Sequence, residues 1–131
     1  MTNWKKSFTM NLMKVLIADD SAFMRSILKD IVGQSSWKDA TVIEADDGVK
    51  AVEKYNQEKP ELVLLDIIMP QKDGIEVLKN IGQLSPTVVI VSSVGQEQVI
   101  AQAKQLGAKD YIVKPFDSRK VVEVIDGLLP K

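Results

Sequence analysis

Leu62-Val63-Leu64-Leu65-Asp66 is a run of four apolar residues closed by an acid. A strand with one wet face alternates apolar and polar residues. A short run that is apolar on both faces belongs instead to a parallel strand covered by helices on either side. Three more segments follow the same plan. Val15-Leu16-Ile17-Ala18 runs into Asp19-Asp20, Val88-Val89-Ile90-Val91 into Ser92, and Tyr111-Ile112-Val113 into Lys114-Pro115. Laid parallel in one sheet, these strands bring three carboxylates, a hydroxyl and an ammonium to a single edge.

The intervening segments carry helical spacing. Met24, Ile27, Leu28 and Ile31 recur at that period, with Ser21 as N-cap and Gly33 as stop. Thr41-Val42-Ile43-Glu44-Ala45 mixes polar with apolar residues, as an edge strand does, and Trp37 falls in the loop before it with no evident chemistry. Asp47 opens a helix to about Gln57, with Val49, Val52 and Tyr55 expected inward. A helix from Gly74 to Ile81 is expected to bury Ile75, Leu78 and Ile81. Gln96 to Leu106 forms another, closed by Gly107, and Asp117 or Ser118 caps a last one that buries Val121, Val122, Ile125 and Leu128. The fivefold alternation, with right-handed crossovers, predicts a doubly wound α/β sheet between two helical layers. Ligands of such sheets lie at the carboxyl ends of the strands, where the acids already stand.

Composition narrows the chemistry further. A chain of 131 residues makes one domain with a substantial core. The 17 basic and 18 acidic residues leave a net charge of −1, which gives no bulk grip on nucleic acid or anionic membrane. There is no Cys and no His, so thiolate sites, imidazole bases and Ser-His-Asp catalysis are excluded. No apolar run approaches the ~18 residues that span a bilayer. Lys5, Lys6 and Lys14 with the acids that follow do not make a signal peptide, so a cytoplasmic location is expected.

The strand-end residues remain to do the work. Clustered carboxylates resist joint ionisation unless a cation sits among them, and hard oxygen donors with room for water suit Mg²⁺. Taken singly, Asp19-Asp20 is a loop and cap, Ser92 a small polar residue leaving a strand, and Lys114 a solvated surface lysine. The conjunction is what points to a metal and phosphoryl site, where a hydroxyl and an ammonium bind phosphoryl oxygens.

The ordered set of Asp19-Asp20, LLDIIMP around Asp66, Asp73-Gly74, VIVSS around Ser92 and YIVKPF around Lys114 resembles a response-regulator receiver domain of the stand-alone chemotaxis type. Each motif is weak alone, and the set is specific. The strings Ser21 to Arg25 and Ser92 to Gln96 resemble chemotaxis regulators in particular, and also the receiver half of the chemotaxis methylesterase. The likeness covers Lys14 to the C-terminus. It divides the chain into an extension, residues 1–12, expected to be disordered, and a receiver, residues 13–131. In the extension Trp4, Phe8 and Leu12 share one helical stripe.

The resemblance implies a flavodoxin-like (βα)5 fold with a five-stranded parallel sheet in the order 2-1-3-4-5, an order known from the family. It also implies that Asp66 is the phosphoacceptor. Asp20, Asp66 and the backbone carbonyl of Ile68 would hold Mg²⁺, with Asp19 helping through water. Ser92 and Lys114 would bind the phosphoryl oxygens, and Tyr111 would be the switch that turns inward with Ser92. The implied partners are a sensor histidine kinase and a downstream target such as the flagellar motor switch. The target would meet the fourth helix, fifth strand and last helix at Glu97, Ile100, Lys104, Tyr111 and Val124. The expected protein is a monomer that neither binds nucleic acid directly nor inserts in a membrane. It would have no catalysis beyond Mg²⁺-dependent self-phosphorylation and slow self-dephosphorylation.

Ile68 and Val94 stand two residues beyond Asp66 and Ser92, where the family places the path of attacking water. Apolar side chains there are expected to slow loss of the phosphoryl group. Three other readings compete. A receiver could serve gene regulation or a phosphorelay. A Mg²⁺ aspartyl phosphohydrolase wants an acid where Ile68 stands, and a flavin carrier wants a hydroxyl- and Gly-rich loop where Asp19-Asp20 stands.

Overall fold

The computed structural model describes residues 12–130. Its strands are β1 (Lys14–Ala18), β2 (Thr41–Ala45), β3 (Leu62–Leu65), β4 (Thr87–Ser92) and β5 (Asp110–Val113). The helices are α1 (Ala22–Gly33), α2 (Gly48–Glu58), α3 (Gly74–Ile81), α4 (Glu97–Gln105) and α5 (Ser118–Asp126). A 3₁₀ turn, Gly82–Leu84, continues α3. The strands pair in parallel in the order β2-β1-β3-β4-β5, as the family resemblance implied.

Register places the site. Ala18 lies level with Leu65 and with Ala45, so Asp19 and Asp66 leave the sheet side by side. Ser92 lies level with Val113, one residue before Lys114. Polar residues thus emerge together because the apolar runs end together.

Alternate residues of the central strands feed two cores, as the two-residue period of a strand requires. Leu16, Val63, Leu65, Val88 and Ile90 pack with Ala51, Tyr55, Val77, Leu78, Ile81 and Ala103. Val15, Ile17, Leu62, Leu64, Val89, Val91 and Ile112 pack on the other face with Leu28, Ile31, Val32, Val121 and Ile125. Both faces of β3 are fully buried, as its sequence demanded, and edge strand β2 buries only Ala45. The helices are unequally rooted. α1 buries Leu28, Ile31 and Val32, whereas Ala103 is the one buried residue of α4.

Helix starts follow the capping residues. The side chains of Ser21, Asp47, Asp73 and Asp117 accept from the backbone N–H groups of Met24, Lys50, Glu76 and Arg119. Each such cap stabilises its helix by about 1 kcal/mol. Gly107, at φ 110°, supplies the left-handed residue that ends the turn after α4. The Lys114–Pro115 peptide is cis.

Several side chains depart from expectation, among them Val122 and Leu128, which are half-buried. Val49 is exposed, because the inward stripe of α2 runs through Gly48, Ala51, Val52 and Tyr55 and misses it by one residue. In α3 it is Val77 that is buried beside Leu78 and Ile81, while Ile75 is half-buried. Trp37 lies in the loop before β2, as expected, and is packed there. It is wholly buried, and its Nε1–H donates to the Ile125 carbonyl at 2.7 Å, tying the α1–β2 connection to the end of α5. The stripe through Trp4 and Phe8 lies outside the described residues, and Leu12 is exposed. Among the described residues no helix is long and apolar enough to cross a membrane.

Candidate functional site

The turn after β1 and the end of β3 bring Asp19, Asp20 and Asp66 together, with one carboxylate oxygen from each within 4.8 Å of the others. Asp19 and Asp66 are buried and Asp20 is exposed, so the cluster opens to solvent on one side. Lys114, delivered by the end of β5, reaches across to this group. Its Nζ donates to Asp19 Oδ2 at 2.8 Å and to Asp66 Oδ2 at 3.0 Å.

The two buried acids are held by their own turns. Asp19 Oδ1 accepts from the Ser21 N–H at 2.9 Å, and Asp66 Oδ1 accepts from the Ile68 N–H at 3.2 Å. The Asp19 N–H donates to the Ala45 carbonyl at 3.0 Å, and the Asp66 N–H to the Ala18 carbonyl at 2.9 Å. Burial pushes the Asp19 carboxyl above the usual carboxylate range, against the hydrogen bond from Lys114 and the Ser21 N–H that pull it down. Burial acts to lower the Lys114 ammonium, but its bonds to Asp19 and Asp66 prevail and the net direction is up. A single ammonium therefore leaves the cluster short of positive charge. The donor set is all hard oxygen, partly exposed and partly counterbalanced, which fits a small divalent cation such as Mg²⁺.

Ser92 and Tyr111 lie beside this group and are bonded elsewhere. Ser92 is wholly buried at the end of β4, and its Oγ accepts from the Val94 N–H at 3.3 Å. Tyr111 is half-buried, and its hydroxyl donates to the carbonyl of that same Val94. Burial first, and the Asp66 charge second, push the Tyr111 hydroxyl above its ordinary value. One residue, Val94, thus meets both hydroxyls, donating its N–H to Ser92 and accepting at its carbonyl from Tyr111. Ile68 is exposed beside Asp66, and Val94 is half-buried against the core. Of the outward-face candidates, Glu97 and Lys104 are exposed, while Ile100, Tyr111 and Val124 are half-buried.

Two glycines and an arginine matter more than their sequence signal suggested. A Cβ on Gly74 would stand 2.2 Å from the Asp66 carbonyl oxygen, and its N–H donates to the Ile67 carbonyl at 2.8 Å. A Cβ on Gly48 would stand 1.7 Å from the Lys72 carbonyl oxygen, so the start of α2 presses on the loop after Ile68. Arg25 sends Nη1 to the Asp19 carbonyl at 2.7 Å and Nε to Glu44 at 2.9 Å. The available signal was position: Arg25 falls one helical turn after the Ser21 cap, facing back toward the acids.

The model of the response regulator receiver domain family matches residues 15–126. The chemotaxis protein CheY of Bacillus subtilis is 44% identical over 118 residues, covering 88% of this chain and 97% of that protein. CheY of Thermotoga maritima is 44% identical over 115 residues, covering 86% of this chain and 94% of that one. Among solved structures, a chain of the CheX-CheY-BeF3-Mg²⁺ complex from Borrelia burgdorferi superposes with a TM-score of 0.82 at 36% identity, covering 91% of this chain and 90% of that chain.

Proposed function

The chain belongs to the response regulator receiver family and is homologous to CheY; from that premise we propose that Asp66 accepts a phosphoryl group from a histidine kinase in chemotaxis signalling. The observation that carries this reading is the bridge of Lys114 between Asp19 and Asp66, with Asp20 alongside. It is an acceptor carboxylate, a cation and a metal-ligand set at one strand edge.

In the proposed step an oxygen of Asp66 forms the new bond to phosphorus as the donor's P–N bond breaks. The electron pair leaves with the imidazole, which takes a proton from solvent. Asp20, Asp66 and the Ile68 carbonyl are the residues that would hold Mg²⁺, with Asp19 acting through water. When bound, the metal supplies neutralisation of the transferred oxygens and alignment of the attack. Lys114 follows the developing charge, since its ammonium is already within reach of Asp66. Ser92 can exchange the Val94 N–H for a phosphoryl oxygen, to which its hydroxyl then donates.

The result is added negative charge at the end of β3, a change that biases a packing equilibrium. Tyr111 would report it on the face of α4, β5 and α5, where a target protein docks. Similarity to a CheY chain in complex with CheX supports a protein partner. Receivers of this type are signalling proteins, and catalysis here would be limited to the protein's own phosphorylation and slow dephosphorylation. The chain would work as a cytoplasmic monomer.

A small phosphodonor with Mg²⁺ tests the reading directly. Mass spectrometry should find an adduct of about 80 Da, one phosphoryl group, that is absent in Asp66→Ala and in chelator. An adduct that persists in Asp66→Ala would place the acceptor elsewhere.

A further inference from the structure

We infer that Arg25 is a positioning residue for the Asp19-Asp20 turn: it fixes the peptide that aims Asp20 at the metal, and Glu44 in turn fixes Arg25. The inference rests on the metal-site reading above and adds residues which that reading does not use.

The geometry runs as a chain from the sheet edge to the site. Glu44 lies on edge strand β2, with its side chain 42% exposed; that of Arg25 is 16% exposed. The Arg25 Nε–H donates to Glu44 Oε1 at 2.9 Å while Nη1 donates to the Asp19 carbonyl at 2.7 Å. That carbonyl belongs to the planar unit joining Asp19 to Asp20, so its direction sets where the Asp20 Cα and carboxylate go. The other groups of Asp19 are fixed by Ala45, Ser21 and Lys114. Arg25 completes the set. A mostly buried guanidinium carries both donors in one rigid plane, so the Glu44 bond fixes the direction of the one to the Asp19 carbonyl.

Arg25 has a second effect of opposite sign. A positive charge near the acids repels an incoming divalent cation, so a purely electrostatic role predicts that removing it tightens metal binding. Positioning predicts that removing it weakens binding. The two are separable. Arg25→Met removes charge and fork together, whereas Arg25→Lys keeps the charge and loses the paired donors.

The test is Mg²⁺ binding to the full chain, by calorimetry with the metal alone. Arg25→Met and Arg25→Lys should each weaken affinity by about tenfold, the lower end for losing an outer partner of a metal ligand. Glu44→Ala, which leaves the guanidinium unsteered, should shift affinity the same way by less, and it keeps the test alive if an Arg25 variant does not fold. In phosphorylation by a small phosphodonor, the half-saturating Mg²⁺ concentration should rise by the factor seen in calorimetry. The rate at saturating Mg²⁺ should stay near that of the unaltered protein, which general loss of structure would not allow. Unchanged or tighter binding in Arg25→Met, or unaltered affinity in Arg25→Lys, overturns the inference. If the unaltered protein takes up no Mg²⁺, the metal-site reading falls and this inference with it.

Discussion

Lys114 is bonded more closely to Asp19, at 2.8 Å, than to Asp66, at 3.0 Å. The cation thus bridges the proposed phosphoacceptor, Asp66, and the neighbouring acid, Asp19. Its positive charge lies among the acids proposed to hold Mg²⁺, where it would compete with the metal.

Replacing it by Met should therefore have two opposite effects. Lys114→Met should bind Mg²⁺ more tightly than the unaltered protein in calorimetry, because a competing charge has gone. The same variant should be phosphorylated about 10²- to 10³-fold more slowly, the usual loss on removing one stabiliser of a charged transition state. A variant that binds metal less well would assign Lys114 to building the site.

The raised Asp19 carboxyl gives a pH dependence with a definite sign. An acid whose folded pKa lies above its unfolded value keeps its proton longer in the folded state. Its ionisation then costs stability, progressively, as pH rises from the unfolded value through the folded one. In chelator, Asp19→Asn should escape that loss. Denaturant midpoints of variant and unaltered protein should lie close together in acid and separate toward neutrality, with the variant more stable. Mg²⁺ should narrow the gap.

Trp37 is far from the acids, and its substitution should act on stability alone. Trp37→Ala should cost about 3–5 kcal/mol by emptying a filled core position. Trp37→Phe removes the Nε1–H bond while the Ile125 carbonyl keeps the Leu128 N–H at 3.1 Å, and should cost about 0.5–1.5 kcal/mol for the lost bond. Urea unfolding measures both, and Mg²⁺ affinity of the folded Phe variant should not change.

Two glycines of similar sequence appearance should behave oppositely. Gly74→Ala drives a methyl into the Asp66 backbone, so phosphorylation and stability should fall together. Gly33→Ala meets nothing within 4 Å at the end of α1 and should stabilise by about 0.5–1 kcal/mol through a stiffer unfolded chain. Thermal midpoints and adduct yield distinguish them.

Exposed Ile68 and half-buried Val94 are expected to hinder water at the phosphorylated acid. Ile68→Asn with Val94→Glu should shorten the lifetime of phosphorylated protein, followed by loss of the adduct after donor removal. Equal lifetimes would return both residues to local packing.

Legibility in the sequence tracked periodicity. The strands announced themselves because Leu62 to Leu65 and Val88 to Val91 are apolar on both faces, and Asp19, Asp66, Ser92 and Lys114 followed as their end residues. The burial of Trp37 leaves no mark in the sequence, because it belongs to a non-periodic turn whose partner, the Ile125 carbonyl, is 88 residues away. Val49 lies one residue off the inward stripe of α2, and Gly48 on that stripe has no side chain to signal burial. Arg25 is quiet in the sequence, since a guanidinium that serves a backbone carbonyl leaves no charge pattern to find.

The single buried alanine of α4 has a mechanical consequence. Burying a methyl group contributes about 0.8 kcal/mol, against about 1.5–3 kcal/mol for each large aliphatic side chain of the kind that roots α1. Trp37 further pins the α1–α5 layer at its far end. A disturbance at the strand ends therefore meets helices of unequal rooting, with α4 held by less buried apolar surface than α1. Unequal rooting of this kind would give direction to a signal: α4, which follows Val94 in the chain, is expected to open before α1, as faster amide exchange in α4 would show.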